Sequence, residues 1–572
     1  MTGVLTTIHA NPQVTAPDTG QYRQVGRWRT TPFQLIGGIF WAMVSAQAWR
    51  TPIAADFGQH AAAIERVKAD WLHPANPLLD IPAHGSPYFT PYTVALGLLA
   101  KATGLAGWEV LKACGPLNLA VLVTGIAAFT RTLSARRWAP VLALAAFVLL
   151  WGPVHMEWSG FLGLQSLIRG VTYPSALAVG LTFHLWALTA RFARPGPRPG
   201  PGPWVYAGVG VLCGLVVLIH PITALGTVIG MVALLMGRRR RWNRTATERW
   251  ALAAAVAFAV AAWWPYFSVF ALAGDPTVDR IHRPLYGDLW GWYGLALAGL
   301  PALFWRARRD LLDPLAVMFV LGCGVAAYGW FSGHYTYGRI FGVLLVPLQF
   351  SLAVELADVP RWTAWHRLLV PVAAVAACAG LVAQAGAVVP KRYEPVALQR
   401  VPHWPSYRWA ADRIPVGDTV LAHGYVPTRA LPAYGVFLVA PTWPDPSTPA
   451  AVRLRRQDAV RAYFAADATP AARFRIARAY HVTWVLTLRD EPAPADGTLA
   501  AASSVTGERL FRLGARPAPP DGPPPSGASA EAYGSSASRP TGWPGRTPRT
   551  SGSPPGSSGP ARRGPRSRTP MP

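Results

Sequence analysis

Charge is scarce in this chain. Only 14% of its 572 residues are charged, against roughly 25% in an ordinary soluble domain. Half of the sequence (51%) is hydrophobic, and much of that lies in runs long enough to cross a bilayer. A single water-soluble domain is thereby excluded. Cysteine is scarcer still. The four copies, Cys114, Cys213, Cys323 and Cys378, all sit inside apolar runs, so neither a disulfide framework nor a CxxC metal site is on offer. Lysine supplies only four of the 53 basic residues: Lys68, Lys101, Lys112 and Lys391. The first 30 residues carry no apolar run, so no cleavable signal peptide is expected. There is no Walker sequence, which fits a substrate that arrives already activated.

What is abundant is arginine, tryptophan and apolar sequence. The net charge of +26 invites a nucleic-acid reading, but the arginines do not form a phosphate-binding stripe. They cluster in short loops between apolar runs: Arg23/Arg27/Arg29, Arg131/Arg136/Arg137, Arg191/Arg194/Arg198, Arg238 to Arg241, Arg306/Arg308/Arg309 and Arg361/Arg367. That is the positive-inside pattern of a membrane protein, and no nucleic-acid partner is expected. Many of the 25 tryptophans stand near the ends of apolar runs, as interface anchors do.

The apolar runs predict eleven spans: Pro32–Trp49, Trp108–Thr130, Trp138–Val154, Thr172–Phe192, Trp204–His220, Pro221–Gly237, Trp250–Leu272, Leu289–Trp305, Pro314–Phe331, Gly338–Glu355 and Leu369–Val389. The run Tyr92–Leu105 is too short for a confident span. If it does not cross, every arginine cluster falls on one side, so it reads as an interfacial helix on the outer surface. The N-terminus is then inside and the C-terminus outside. The expected organisation is a cytoplasmic segment 1–31, a membrane part 32–390 with a large first outer loop 50–107, an exoplasmic α/β domain 391–513 and a tail 514–572. In the C-terminal segment, Val420–Ala422 and Val482–Leu486 read as buried strands. Ala459–Ala465 and Ala471–Tyr480 read as helices, the second opened by Thr469-Pro470. The tail holds 15 prolines in 59 residues and cannot bury enough apolar surface to order itself.

The densest polar constellation is in the first outer loop. Asp56 and His60 are followed by Glu65, Arg66, Lys68 and Asp70, then His73, Asn76, Asp80, His84 and Ser86-Pro87-Tyr88-Phe89. Asp56 follows the first span closely, which puts it at the membrane–water boundary. If it opens a helix, His60 lies one turn along on the same face. A carboxylate there can act as a general base toward a hydroxyl. From the residues alone the favoured reading is an N-cap, since Asp is a good one. No spacing among Asp56, His60, His73, Asp80 and His84 matches a standard metal site. A divalent cation (Mg or Mn) bridging a phosphate headgroup stays open.

The large acidic first outer loop, about eleven spans with short inner loops, and the C-terminal segment together resemble the GT-C class. This class comprises integral-membrane glycosyltransferases that use polyprenyl-phosphate sugars. The stretch Asp56–Phe89 is similar to the corresponding loop of bacterial, actinobacterial-type members. So are Val420–Tyr425, Thr428–Tyr434 and Tyr480–Leu486 to their C-terminal domains. Adjacent acidic pairs, used in some branches, are absent from this loop.

The resemblance implies a polytopic α-helical membrane enzyme that inverts at the anomeric carbon in one displacement. Its donor would be a polyprenyl-phosphate sugar and its acceptor a glycan, lipid or protein of the cell envelope, at the outer face. A first-loop carboxylate, Asp56, would take the proton of the acceptor hydroxyl. Cations near that face would stabilise the leaving phosphate. The candidates are Arg169, Arg280, Arg283 and Arg339, the last with His334 in Gly333–Arg339. Each has a bland alternative: solvated loop charge for Arg280 and Arg283, a headgroup anchor for Arg339. His60 and Glu157 complete the expected substrate-binding set, with Gln165 and Arg169 on a short re-entrant helix. His220, at a hairpin turn, reads as a structural histidine. Two other readings stand beside the enzyme: a flippase for a lipid-linked glycan, and a non-catalytic scaffold. The spans lack the mid-membrane charges that a transporter uses.

Overall fold

The structure is a computed structural model. It describes residues 30–82, 85–193, 201–237, 243–272, 276–358, 364–385, 404–443 and 445–514. The expected N-terminal segment and tail lie outside the described residues, apart from Thr30, Thr31 and Gly514. So do His84, Arg194, Arg198, Arg238 to Arg241, Arg361 and residues 391–403.

Helices dominate, and their boundaries follow local chemistry. Proline opens many of them, as at Pro32–Arg50, Pro91–Thr103, Pro174–Phe192, Pro203–Ile219, Pro221–Met236 and Pro314–Ser332. Its missing N–H costs nothing in the first turn. Among the described residues four helices are long and apolar enough to cross a membrane: Gly107–Leu133, Pro314–Ser332, Tyr335–Ala357 and Ala364–Gln384. The pair Leu164–Gly170 and Pro174–Phe192, bent by 115°, makes a fifth if it is one span. Ala139–Leu149, Pro203–Ile219 and Pro221–Met236 are shorter apolar helices. The run Leu289–Trp305 is not one helix. It breaks into Leu289–Tyr293, a 3-10 stretch Gly294–Gly299 and Leu300–Arg309, where Gly294, Gly299 and Pro301 interrupt the helical ladder.

The helices pack around aromatic rings. Phe183 and Phe350 stack at 5.4 Å, with Phe129 and Trp186 against them. Some polar groups in this core are paired: Thr182 meets Thr227 at 2.7 Å, and Gln349 donates to Leu150 O at 2.8 Å. The bundle has two chemically different ends. At one, Arg136 reaches Asp358 at 2.7 Å, and Glu355 lies 3.6 Å from both Arg309 and His366. Loops from three of the arginine clusters therefore meet.

In the first loop the helix Phe57–Ala69 is buried on nearly all sides. It packs against Pro91–Thr103, where Gly97 meets Val67, and against Gly107–Ala113, whose Gly107 N–H donates to Glu65. Pro91–Thr103 has 13 residues, about 20 Å at 1.5 Å per residue, short of the roughly 30 Å hydrocarbon core. It buries Tyr92, Val94, Leu96 and Ala100 and exposes Leu98 and Leu99.

Residues 404–514 carry a five-stranded mixed sheet. The strands are β1 (Thr419–Leu421), β2 (Phe437–Leu438), β3 (Val482–Thr487), β4 (Gly497–Ala502) and β5 (Arg509–Leu513), in the order β2-β1-β3-β5-β4. β1 is parallel to β2 and β3, and β5 runs antiparallel to β3 and β4. The helices Ala450–Phe464 and Pro470–Ala479 lie between β2 and β3, the second capped by Thr469. This segment and the bundle belong to one compact unit. The first loop closes the β2 edge: Leu438 N–H donates to Leu78 O at 2.8 Å, and Leu79 bridges Leu438. Asp445 is buried and accepts from Ser86 Oγ at 2.8 Å and Ser447 N at 2.9 Å. Arg66 stacks on Phe437 at 3.5 Å, and His481 meets Asp80 at 3.0 Å. A strand edge covered in this way offers no unpaired ladder to another chain.

Candidate active site

The helix Phe57–Ala69 begins at Asp56, yet the Asp56 side chain makes no capping bond. It pairs instead with the Arg429 guanidinium, on the short helix Tyr425–Ala430. Only 3% of the Arg429 side chain is exposed, whereas 30% of Asp56 is. The carboxylate thus keeps an open face while the cation that holds it is sealed in. Burial works against the Arg429 charge, and Asp56, with Tyr425, Tyr88 and Tyr173, more than offsets it. Arg429 also lies over the rings of Tyr425 at 5.3 Å and Trp443 at 5.4 Å, contacts that favour a cation.

The residue before Asp56 is strained. Ala55 has φ +50°, one of two positive values at non-glycine positions among the described residues. Such a conformation costs of order 1–3 kcal/mol and persists only where the surroundings hold it. Tyr173 contributes, its hydroxyl donating to Ala54 O at 3.0 Å. Gly58 allows the close approach from the other side. A Cβ there would overlap the Arg429 carbonyl oxygen. Gly58→Ala is therefore expected to destabilise the chain by about 1–3 kcal/mol and to lower its activity by parting Arg429 from Asp56. Gly38→Ala, with nothing within 4 Å, is the control that changes neither. Thermal melts beside activity measurements decide it; an unaffected Gly58→Ala would show that the approach has no role.

His60 lies one turn along and is buried between Tyr88, 5.7 Å away, and Tyr173, 5.5 Å away. Burial pushes its pKa down to about 4, with Asp56 opposing and Arg429 adding to the shift. The ring is neutral at pH 7, and its Nδ1 has no partner among the described residues. Tyr88 is pushed up by burial and by Asp56 and Asp445, so it stays a phenol. Arg339 donates to His220 Nε2 at 2.6 Å and to Ser159 O at 3.3 Å, and His220 Nδ1 meets Thr223 at 2.7 Å. Asp56 and Tyr88 both lie within electrostatic reach of Arg339. The Nε atoms of Arg339 and Arg429 are buried without a partner among the described residues. Glu157 pairs with Arg169 at 2.6 Å and is within electrostatic reach of Asp56 and Arg429. Arg169 stands on the short helix Leu164–Gly170.

Of the residues singled out in the sequence, Asp56, His60, Glu157, Arg169 and Arg339 thus gather at one place. No contact joins Arg280, Arg283 or His334 directly to this group among the described residues. Arg280 is exposed, Arg283 lies 5.8 Å from the Tyr335 ring, and His334 binds Asp279 at 2.9 Å. Asp279 also accepts from Thr336 N at 3.1 Å. Two members of the cluster were not read as site residues. His220 reads from sequence as structural, and Arg429 lies within Thr428–Tyr434, where the sequence assigns it no role. A lone arginine beside Ala430-Leu431, in a segment otherwise suited to burial, was the available signal. Among the described residues no group of three or more His, Cys, Asp or Glu is placed to hold a metal ion. Around Asp56 the positive charge is supplied by arginine.

No family model matches the chain. No curated protein matches it either. The solved structures do. The cryo-EM structure of arabinofuranosyltransferase AftD from mycobacteria matches over 85% of this chain and 40% of AftD, with TM-score 0.50 and 17% identity. A mutant of that protein matches over 84% and 42%, with TM-score 0.51 and 17% identity. ArnT from Cupriavidus metallidurans bound to undecaprenyl phosphate matches over 86% of this chain and 98% of its own, with TM-score 0.45 and 15% identity. The chain spans about two fifths of the length of AftD. The helical fold is similar to that of AftD.

Proposed function

We propose that the chain transfers a sugar from a polyprenyl-phosphate-linked donor to a cell-envelope acceptor at the outer face of the membrane. The observation that carries this reading is the Asp56 carboxylate, with one face open, paired with Arg429 and within electrostatic reach of Arg339; among the described residues neither arginine's Nε has a partner. Asp56 takes the proton of the acceptor hydroxyl as its oxygen bonds to the anomeric carbon. The bond from that carbon to the phosphate oxygen breaks on the opposite side, and the lipid phosphate leaves with the electron pair. Configuration inverts. Negative charge grows on the phosphate as it departs, and a buried arginine is worth most at that point because no water competes for it. Arg429 and Arg339 fill this role; Glu157 and Arg169 border the acceptor side. His60, neutral and without a partner at Nδ1 among the described residues, hydrogen-bonds substrate rather than neutralising it.

The eleven-span topology, with arginine loops inside and residues 391–513 outside, belongs to the same proposal. The meeting of Arg136, Asp358, Arg309 and Glu355 at one end of the bundle supports it. The experiment is donor consumption. Purified chain in lipid discs is given a panel of polyprenyl-phosphate sugars with envelope acceptors, and product stereochemistry is read. Transfer with inversion, dependent on Asp56, is expected. No consumption of any donor in the panel would overturn the reading in favour of a flippase or scaffold.

A further inference from the structure

Beside the Asp56–Arg429 pair lies an aromatic surface that the chemistry above leaves unused. Trp443 follows β2 and receives the Arg429 guanidinium on its ring at 5.4 Å. Its indole stands edge-on to Trp158 at 6.5 Å and 70°. Trp158 in turn packs on His282 at 5.3 Å, and His282 meets the Thr336 hydroxyl at 3.3 Å. Neither tryptophan is fully buried, so each keeps ring surface free. Glu157, next in sequence to Trp158, gives one carboxylate oxygen to Arg169; among the described residues the other makes no hydrogen bond.

We propose that Trp158 and Trp443 form the acceptor platform and that the acceptor is a carbohydrate. This rests on the glycosyl-transfer reading above and narrows its acceptor. The faces of an indole carry negative potential, and the C–H bonds on one face of a sugar ring present positive hydrogens to them. The hydroxyls around the ring's rim need hydrogen-bond partners, and Glu157, His282 and Thr336 border the aromatic surface. An acyl chain offers the second Glu157 oxygen no donor, and an unmet buried acceptor is costly. An extended peptide would seek a free strand edge, and the β2 edge is already taken by Leu78 and Leu79. Trp443 stacks on the same arginine that holds Asp56, so a sugar lying across the platform places a hydroxyl at the carboxylate. The two halves come from distant stretches: Trp158 from a bundle loop, Trp443 from the segment after β2.

The test uses the full chain in lipid discs with soluble oligosaccharides built of hexose or pentose units. Trp443→Ala and Trp158→Ala are each expected to raise the acceptor KM about tenfold and to leave the donor KM within twofold. Trp443→Phe, which keeps an aromatic face, is expected to recover most of the loss. Trp158→Ala matters separately because Trp158 does not touch Arg429 in these contacts, so its effect does not pass through Asp56. An unchanged acceptor KM in Trp158→Ala, or a fall in kcat alone in both variants, overturns the platform. Equilibrium binding of the same oligosaccharides by saturation-transfer NMR needs no turnover. Saturable binding that both alanine variants lose supports the platform even if no donor is consumed and the transfer reading falls. Absence of saturable binding, with peptide or lipid acceptors used instead, overturns it while transfer stands.

Discussion

Asp56→Asn is expected to lower glycosyl transfer by about 10²–10⁴-fold, the usual cost of losing a positioned base, with the chain still folded and inserted. The amide keeps the size of the carboxylate, and its oxygen still accepts from Arg429. It cannot take a proton from an incoming hydroxyl. The N-cap position of Asp56 does not confuse the outcome, because its side chain makes no capping bond and Asn caps as well as Asp. Asp56→Ala is the harsher variant. It leaves Arg429, with 3% of its side chain exposed, as a buried charge without its carboxylate, a change that typically costs about 3–5 kcal/mol. A chain in which Asp56→Ala melts early while Asp56→Asn melts normally and is inactive meets the expectation. Near-normal transfer by Asp56→Asn would make Asp56 a structural staple and turn attention to Glu157→Gln.

Removing either arginine is expected to cost about 10²–10³-fold in kcat, the scale seen when one donor to a developing negative charge is lost. Arg429→Met separates chemistry from stability. Methionine fills the buried volume and removes the cost of burying the guanidinium, and the penalty for breaking an ion pair falls on a remaining partner that is buried. Asp56, with 30% exposure, is left with access to water. Arg429→Met should therefore stay folded and lose turnover. Arg339→Met also frees His220 Nε2 and the carbonyl of Ser159, so some loss of melting temperature accompanies the loss of rate. Arg280→Met and Arg283→Met remove exposed charges outside the cluster and should change kcat less than about twofold. Transfer by Arg429→Met within about threefold of wild type would sink the phosphate role of this residue. An equal loss from Arg283→Met would show that the field of the whole face, not the cluster, stabilises the leaving group.

Much of the helical scaffold was legible beforehand because its causes are local. Apolar runs, prolines at first turns and arginines between runs are readable without knowing what packs on what. The helix Pro314–Ser332 lies where hydropathy puts it, Ala364–Gln384 begins five residues before the expected Leu369–Val389, and β3 and the Thr469-capped helix lie within one residue of where local pattern puts them. The broken run at Leu289–Trp305 shows the limit: its mean hydropathy reads as a span, but its glycines and Pro301 decide the backbone.

The site was legible only in halves. An acidic residue just past a first apolar run, with His60 one turn on, was visible as a pattern. What that residue does with its carboxylate was not, because a capping aspartate and a free one look alike in sequence. The answer lies 373 residues away, at Arg429. Glu157 with Arg169 is a local pair, 12 residues apart, and was within reach of pattern reading; Arg339 with His220, 119 apart, was not. Sequence by itself determined where the chain is helical, how its charge is distributed and which loop is rich in acids, since each depends on neighbours within a few turns. Tertiary structure alone decided that Asp56 faces Arg429, that β2 is closed by Leu78 and that two tryptophans meet beside the carboxylate. Electrostatic pairing and burial depend on distance in space, and the packing of whole elements sets that distance.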